Sequence, residues 1–176
     1  MEFILPPLAL LLVWGIVIYN RLVSDKNRVL QAWSDIDVQL RRRRDLLPKL
    51  VDAVNAYAHY ERTTLDEITR LRGTAEQSTQ PRQLAPLEQA IGSRLHALIA
   101  VAEAYPELRA STQYLELLRQ LSEVEDQIQF ARRFYNGAVR NLNVRIDSFP
   151  DLLVARPFGF HPAEFFEVEP ALRGAA

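Results

Sequence analysis

Four consecutive arginines, Arg41, Arg42, Arg43 and Arg44, stand just ahead of Asp45 and Pro48. Guanidinium groups in such number can fork onto carboxylates or phosphates through paired hydrogen bonds. On a helix, four successive positions spread around most of the circumference, so the run cannot form one flat phosphate-binding face. Two readings stay open: solvated arginines that pair with Asp37, Asp45 and carboxylates of other helices, or a docking site for an acidic protein partner, formed by Arg41, Arg42 and Arg44. Nucleic acid is not an expected partner, because no stacking aromatics interleave the run and the whole chain carries a formal charge of only −1.

Glu125 and Arg132 are read as lying on the apolar stripe of a helix, where a hydrophobic residue is otherwise expected. Seven positions separate them by about 10 Å along the axis, too far to pair with each other. Each therefore needs a partner on a neighbouring helix, and Arg43 and Glu61 continue the stripe of an earlier helix. The expected pairs are Glu125 with Arg43 and Arg132 with Glu61. Such a layer either sets the register of the helices or holds a small ligand or ion.

Other chemistries lack their residues. A di-metal helical bundle needs Glu-x-x-His on two helices, and no such tetrapeptide occurs. His161 with Glu164 supplies one imidazole and one carboxylate, fewer donors than a metal site uses; His59 and His96 stand alone. No phosphate-binding glycine loop, nucleophile elbow or HExxH motif is present, and there is no cysteine to form a disulfide, thiolate or lipid anchor. No catalytic, cofactor or metal residue is assigned, and the chain is expected to be neither an enzyme nor a cofactor carrier.

A last cluster is aromatic: Phe149, Phe158, Phe160, Phe165 and Phe166. It reads either as a strap burying its rings over one end of a bundle or as a partner-binding or interfacial segment, with Phe158, Phe160, Phe165 and Phe166 as the contact residues.

The elements that must position these groups begin with a run free of charge from Phe3 to Tyr19, near the lower bound of about 17 to 25 residues for a bilayer crossing. No basic residue precedes the run and no small-residue cleavage site follows it, so an uncleaved anchor is expected over a signal peptide. Arg21, Lys26 and Arg28 follow the run and none precedes it, which places the N-terminus outside and the remainder in the cytoplasm. The arginine run then lies roughly 30 Å beyond the span on a straight helix, several screening lengths of about 8 Å from the headgroups.

Beyond the anchor, steps of three and four recur from Val29 through Trp33, Ile36, Leu40, Leu47, Leu50, Val54 and Tyr57 to Leu65, Ile68 and Leu71. Gly73 is the expected stop, and Pro48 predicts a kink or break near Arg44. Thr74 to Pro81 reads as a loop. A second pattern runs Leu84, Leu87, Ile91, Leu95, Leu98 and Ala102. A third runs Leu118, Leu121, Glu125, Ile128, Arg132, Tyr135, Val139, Leu142 and Ile146, at coiled-coil-like spacing. The expected fold is all-α: an antiparallel bundle of three to four helices behind a single transmembrane helix. Its segments are an anchor over 1–20, a bundle over 21–150, and a Phe-rich tail over 151–176 that packs on the bundle and frays at its end.

Several stretches resemble the LemA family: Tyr19-Asn20 with Leu22-Val23, Ala32-Trp33-Ser34 with Ile36 to Leu40, and Asp45 to Pro48 with Leu50-Val51. Glu103 to Pro106 with Leu108, Glu125 with Ile128, and Ala131 to Asn136 follow, then Phe149-Pro150, Gly159-Phe160 and Phe165 to Glu167. The resemblance covers about Tyr19 to Glu167 in order. It implies an antiparallel four-helix bundle behind an N-terminal anchor, in a bacterial family with no established biochemical activity. Some of its relatives are magnetosome proteins and others are encoded near membrane zinc metallopeptidases. Arg44 and Lys49 depart from the usual pattern, and the family offers no catalytic residues to carry over.

The functional expectation is a membrane-anchored interaction or scaffold protein, an adaptor for a membrane metallopeptidase or part of a membrane assembly, with a protein partner or a second copy. The competing reading is a small-ligand-binding or enzymatic bundle that uses Arg43, Glu61, Glu125 and Arg132.

Overall fold

A computed structural model describes residues 5–56, 62–102 and 104–167. Among the described residues six helices follow in order: α1 (Leu5–Asn55), α2 (Arg62–Gln77), α3 (Pro81–Ala102), α4 (Pro106–Arg109), α5 (Thr112–Asp147) and α6 (Leu152–Ala155). No strand occurs among the described residues, so the fold is all-α. The chain divides into two compact units, Met1–Asp35 with Arg133–Phe165, and Ile36–Arg132 with Phe166–Ala176.

In the first unit, α1 opens with Pro6 and Pro7, tolerated because first-turn amides have no partner inside a helix. Leu8, Leu10, Leu11, Leu12, Val13 and Ile16 are all exposed, unlike the side chains of a core helix. α1 is long and apolar enough to cross a membrane. Its polarity then becomes one-sided: Ile18, Leu22, Val29 and Ala32 are buried, as are Tyr135, Val139, Leu142 and Ile146 of α5. Asp25 meets Arg145 at 2.8 Å and the Trp33 ring lies 5.5 Å from that of Tyr135. Residue numbers climb on α1 as they fall on α5, so the two run antiparallel.

The strap that follows α5 returns along this pair. Phe149-Pro150 is a cis peptide, and Gly159 adopts φ +69°, a backbone conformation that side chains with a Cβ rarely tolerate. Asn143 fastens the strap twice: its amide nitrogen donates to the Ala163 carbonyl at 3.0 Å, and its oxygen accepts from the Ala163 amide at 2.8 Å. The Tyr135 hydroxyl donates to the Glu164 carbonyl at 2.7 Å. Burial, with the charge of Glu164 adding to it, pushes the Tyr135 phenol up to about 12.

The second unit takes the remainder of α1, the α2–α3 hairpin, α4, and α5 up to Arg132. α2 and α3 pack together across the short link after Gln77, tied on their surface by Arg94 Nε to Glu67 at 3.0 Å. Its core collects Ile36, Leu40, Leu47, Leu50, Val54, Ile68, Leu84, Ile91, Leu95, Leu98, Leu121, Val124 and Ile128.

Three expectations need correction. The break offered near Arg44 does not occur, since α1 continues through Pro48 to Asn55; one lost hydrogen bond is offset by burial of Leu46, Leu47, Leu50 and Val54 around it. Gly73 lies inside α2, which ends at Gln77, so the connecting loop begins later than Thr74; a glycine costs a helix only about 1 kcal/mol. The buried seam of α5 runs Tyr114, Leu117, Leu121, Val124, Ile128, Ala131 and Tyr135. Leu118, Glu125 and Arg132 therefore flank the seam rather than fill it. Tyr57, His59 and Glu61, and the end of the tail, lie outside the described residues.

Candidate functional site

The seam of α1 steps Leu40, Arg43, Leu47, Leu50 and Val54, and every one of these residues is buried. Arg43 thus occupies a core position in the heptad-like rhythm, with only 3% of its surface exposed. On α3 the same rhythm runs Leu84, Glu88, Ile91 and Leu95, and Glu88 is 4% exposed. Burying either ion alone would cost several kcal/mol, so each must answer the other.

They do. Arg43 Nη2 donates to the Glu88 carboxylate and also to the Glu88 carbonyl at 2.9 Å. Arg43 Nη1 donates to Glu125 Oε1 at 2.7 Å, reaching a half-buried carboxylate on the flank of α5. Burial pulls the Arg43 guanidinium down, but the charges of Glu88 and then Glu125 outweigh it, and its pKa is raised above the ordinary arginine value. Arg44 is buried too: its Nε donates to the Leu40 carbonyl at 3.3 Å, lies 3.7 Å from Glu88 Oε1, and its Nη2 lies 3.8 Å from Asp37. Two guanidinium groups and three carboxylates, on three helices, form one layer of opposite charges. Two atoms in it make no hydrogen bond among the described residues, Arg43 Nε and Glu88 Oε1, and buried polar atoms of this kind commonly take a water or a ligand group.

A cleft of about 240 Å³ adjoins this layer, bordered by Arg43, Glu88, His96, Glu125, Arg132 and Phe166. Its size suits a few waters or a small polar molecule. Arg132 lies exposed at this cleft and not on the buried seam where the sequence reading put it, because Ala131 takes that place. Its expected partner Glu61 falls outside the described residues.

Of the arginine run, Arg41 is exposed and paired one turn back with Asp37 at 2.6 Å, and Arg42 is exposed with Glu123 at 3.7 Å. Arg44, expected among the outward docking residues, faces the core instead, since consecutive positions on a helix necessarily turn some members inward. The phenylalanines separate in the same way. Phe158 is 64% exposed and Phe165 lies at the edge of exposure, whereas Phe166, expected as a contact residue, is buried. Phe158 and Phe160 set their rings 5.1 and 5.7 Å from Tyr19.

Glu88 escaped the sequence reading, although a signal for it exists. The four-three-four spacing Leu84, Glu88, Ile91, Leu95 competes with Leu84, Leu87, Ile91, and only the identity of Leu87 favours the second. Among groups of His, Asp and Glu in the described residues, none could hold a metal ion.

The LemA family model matches residues 32–175. Protein LemA of Metamycoplasma hominis is 32% identical over 152 residues, covering 84% of this chain and 68% of that protein. Magnetosome proteins MamQ 1 and MamQ 2 of Paramagnetospirillum magneticum are each 36% identical over 80 residues, 46% of this chain and 29% of theirs. The similarity to them spans under a third of their length.

Proposed function

The chain belongs to the LemA family, and from that premise we propose that it is a membrane-anchored, non-enzymatic interaction module. The observation that carries this is α1: a single helix whose exposed apolar beginning, Leu8 to Val17, continues into a buried seam reaching Val54. One element both meets lipid and nucleates the packing of the other helices. The bundle lies on the cytoplasmic side of an inner membrane, because Arg21, Lys26 and Arg28 follow the span and basic residues resist translocation. Exposed Arg41 and Arg42 offer the protein partner a basic surface, and the partner is a membrane metallopeptidase, a further component of a membrane assembly or a second copy of the chain. Relatives named as magnetosome proteins support the assembly role. Cross-linking the full chain in its native membrane, followed by affinity isolation in detergent, tests the reading. Recovery of the chain alone, with neither partner nor self-association, overturns it.

A second reading is favoured by the cleft beside Arg43 and Glu88: a bundle that binds a small polar ligand. Thermal-shift screening with small carboxylic acids and polyols tests it. A hit abolished by Arg132→Ala, at an exposed position that the fold does not need, supports the reading, and uniformly flat shifts exclude it.

A further inference from the structure

An apolar groove of about 380 Å³ lies in the first unit, bordered by Leu11, Leu12, Gly15, Ile16 and Tyr19 of α1 and by Val154 and Phe158 of the strap. Its α1 wall is the same stretch that is apolar enough to cross a membrane. Arg21 is the first charged residue after that stretch. Leu12 lies nine residues before it, about 13 Å along the axis, well within a hydrocarbon layer about 30 Å thick. The groove runs from there to Tyr19, two residues before Arg21, where the Phe158 ring lies 5.1 Å away, so the strap borders the apolar layer from its boundary inward.

We propose that Leu152–Phe160 is a second membrane-contact element, seated beside α1 in the same leaflet with phospholipid acyl chains filling the groove between them. The proposal rests on the reading of α1 as a membrane anchor and extends it to a segment more than a hundred residues away in sequence.

Two further observations point to lipid as the occupant. The side chains of Leu153 and Phe158 are exposed, and both are apolar. The backbone is also equipped to leave water. From Leu152 to Phe160 every amide hydrogen donates to a carbonyl within or just before the segment, and Pro157 has none to donate. Leu152 donates to Ser148, Leu153 to Pro150, Val154 and Ala155 to Asp151, Arg156 to Leu152, Phe158 to Val154, Gly159 to Arg156 and Phe160 to Ala155. Non-aqueous surroundings penalise an unpaired amide by several kcal/mol, and these donors are already satisfied. Exposed Arg156 can extend its charged end to headgroup phosphates while its stem stays in the apolar layer, and Tyr19, a ring type enriched at that boundary, packs against Phe158 and Phe160 of the strap.

Because the chain has no cysteine, single labels can be placed without altering anything else. The full chain, reconstituted in vesicles of phosphatidylcholine with a minor share of phosphatidylglycerol, is spin-labelled at Val13→Cys, Leu153→Cys, Phe158→Cys or Gln127→Cys. Collision with oxygen, which concentrates in hydrocarbon, is compared with collision with a water-soluble nickel chelate. The expected result is an oxygen-to-nickel ratio at 153 and 158 several-fold above that at 127 and below that at 13, which lies deeper. Water-like ratios at both 153 and 158, with 13 in lipid, overturn the inference and leave the anchor standing. A water-like ratio at 13 removes the anchor reading and the inference together. All four labelled positions are exposed, and should one strap variant fail to fold, the other decides.

Discussion

Replacing Glu88 with alanine is the sharpest perturbation of the polar layer. Glu88 is the carboxylate nearest both buried guanidinium groups, so its loss leaves Arg43 with Glu125 alone and Arg44 with Asp37 at 3.8 Å. Stranding a buried charge costs about 3–5 kcal/mol. Glu125 has a side chain 27% exposed, and its removal leaves the Arg43–Glu88 pair intact, so the loss is that of one charge-assisted hydrogen bond, about 1.5–3 kcal/mol. Urea titration of the full chain in detergent micelles, followed by far-ultraviolet circular dichroism, reads both. At an m of about 2 kcal/mol/M, Glu88→Ala lowers the midpoint by roughly 1.5–2.5 M, and Glu125→Ala by about half as much. Combining Arg43→Met with Glu88→Leu recovers the share of the loss that belongs to Arg43, because buried pairs exchanged for apolar groups are close to neutral, while Arg44 stays short of its partner; with the two single variants Arg43→Met and Glu88→Leu the cycle isolates the coupling. The reasoning is refuted if Glu88→Ala and the fully exposed Glu116→Ala give the same midpoint.

Arg44→Ala destabilises and Arg41→Ala does not, since the first guanidinium is buried among Leu40, Asp37 and Glu88 and the second is solvated on Asp37; thermal unfolding of the two variants checks this. Tyr135→Phe removes the hydrogen bond to the Glu164 carbonyl at a cost of about 0.5–1.5 kcal/mol. It also deletes from the absorbance titration a phenol that ionises near 12. Because that pKa is raised on folding, its stabilising contribution is intact below about pH 10 and is lost as pH climbs through about 12. Glu116 accepts hydrogen bonds from Arg119 and Gln120, which hold its carboxyl at about 2. Its contribution is present above the ordinary glutamate range and lost as pH falls toward 2, and Arg119→Ala returns the carboxyl toward the ordinary range in a nuclear magnetic resonance titration. Asn143→Ala removes two of the hydrogen bonds that hold the strap to α5 and leaves that of Tyr135, and limited proteolysis then cuts near Ala163 faster than in the parent.

The helical elements are legible wherever three- and four-residue steps coincide with local breakers. α3 ends at Ala102, beside Tyr105-Pro106 where the pattern stops, and α5 ends at Asp147, just ahead of Phe149-Pro150. Breakers inside a strong seam mislead, because Pro48 and Gly73 each weigh about 1–3 kcal/mol against the burial of several leucines. Spacing alone cannot separate a seam from its flank: Leu118, Glu125 and Arg132 repeat every seven residues just as Leu117, Val124 and Ala131 do. Burial chose the second set. Arg43 with Glu125 was readable as a cross-helix pair, whereas Glu88 was not. The spacing of Leu84, Ile91 and Leu95 admits Glu88 as readily as Leu87, and hydrophobicity alone favours the leucine, so the signal is there but does not decide which of the two turns inward.

The way Asn143 holds the strap has a consequence for sequence drift. It grips the main-chain amide and carbonyl of Ala163, and Tyr135 grips a main-chain carbonyl at Glu164. The latch therefore asks little of side chains at 163 and 164, which are free to vary, provided proline does not remove the donor at 163. The demand for identity falls on the opposite side of the clasp, on one amide and one phenol.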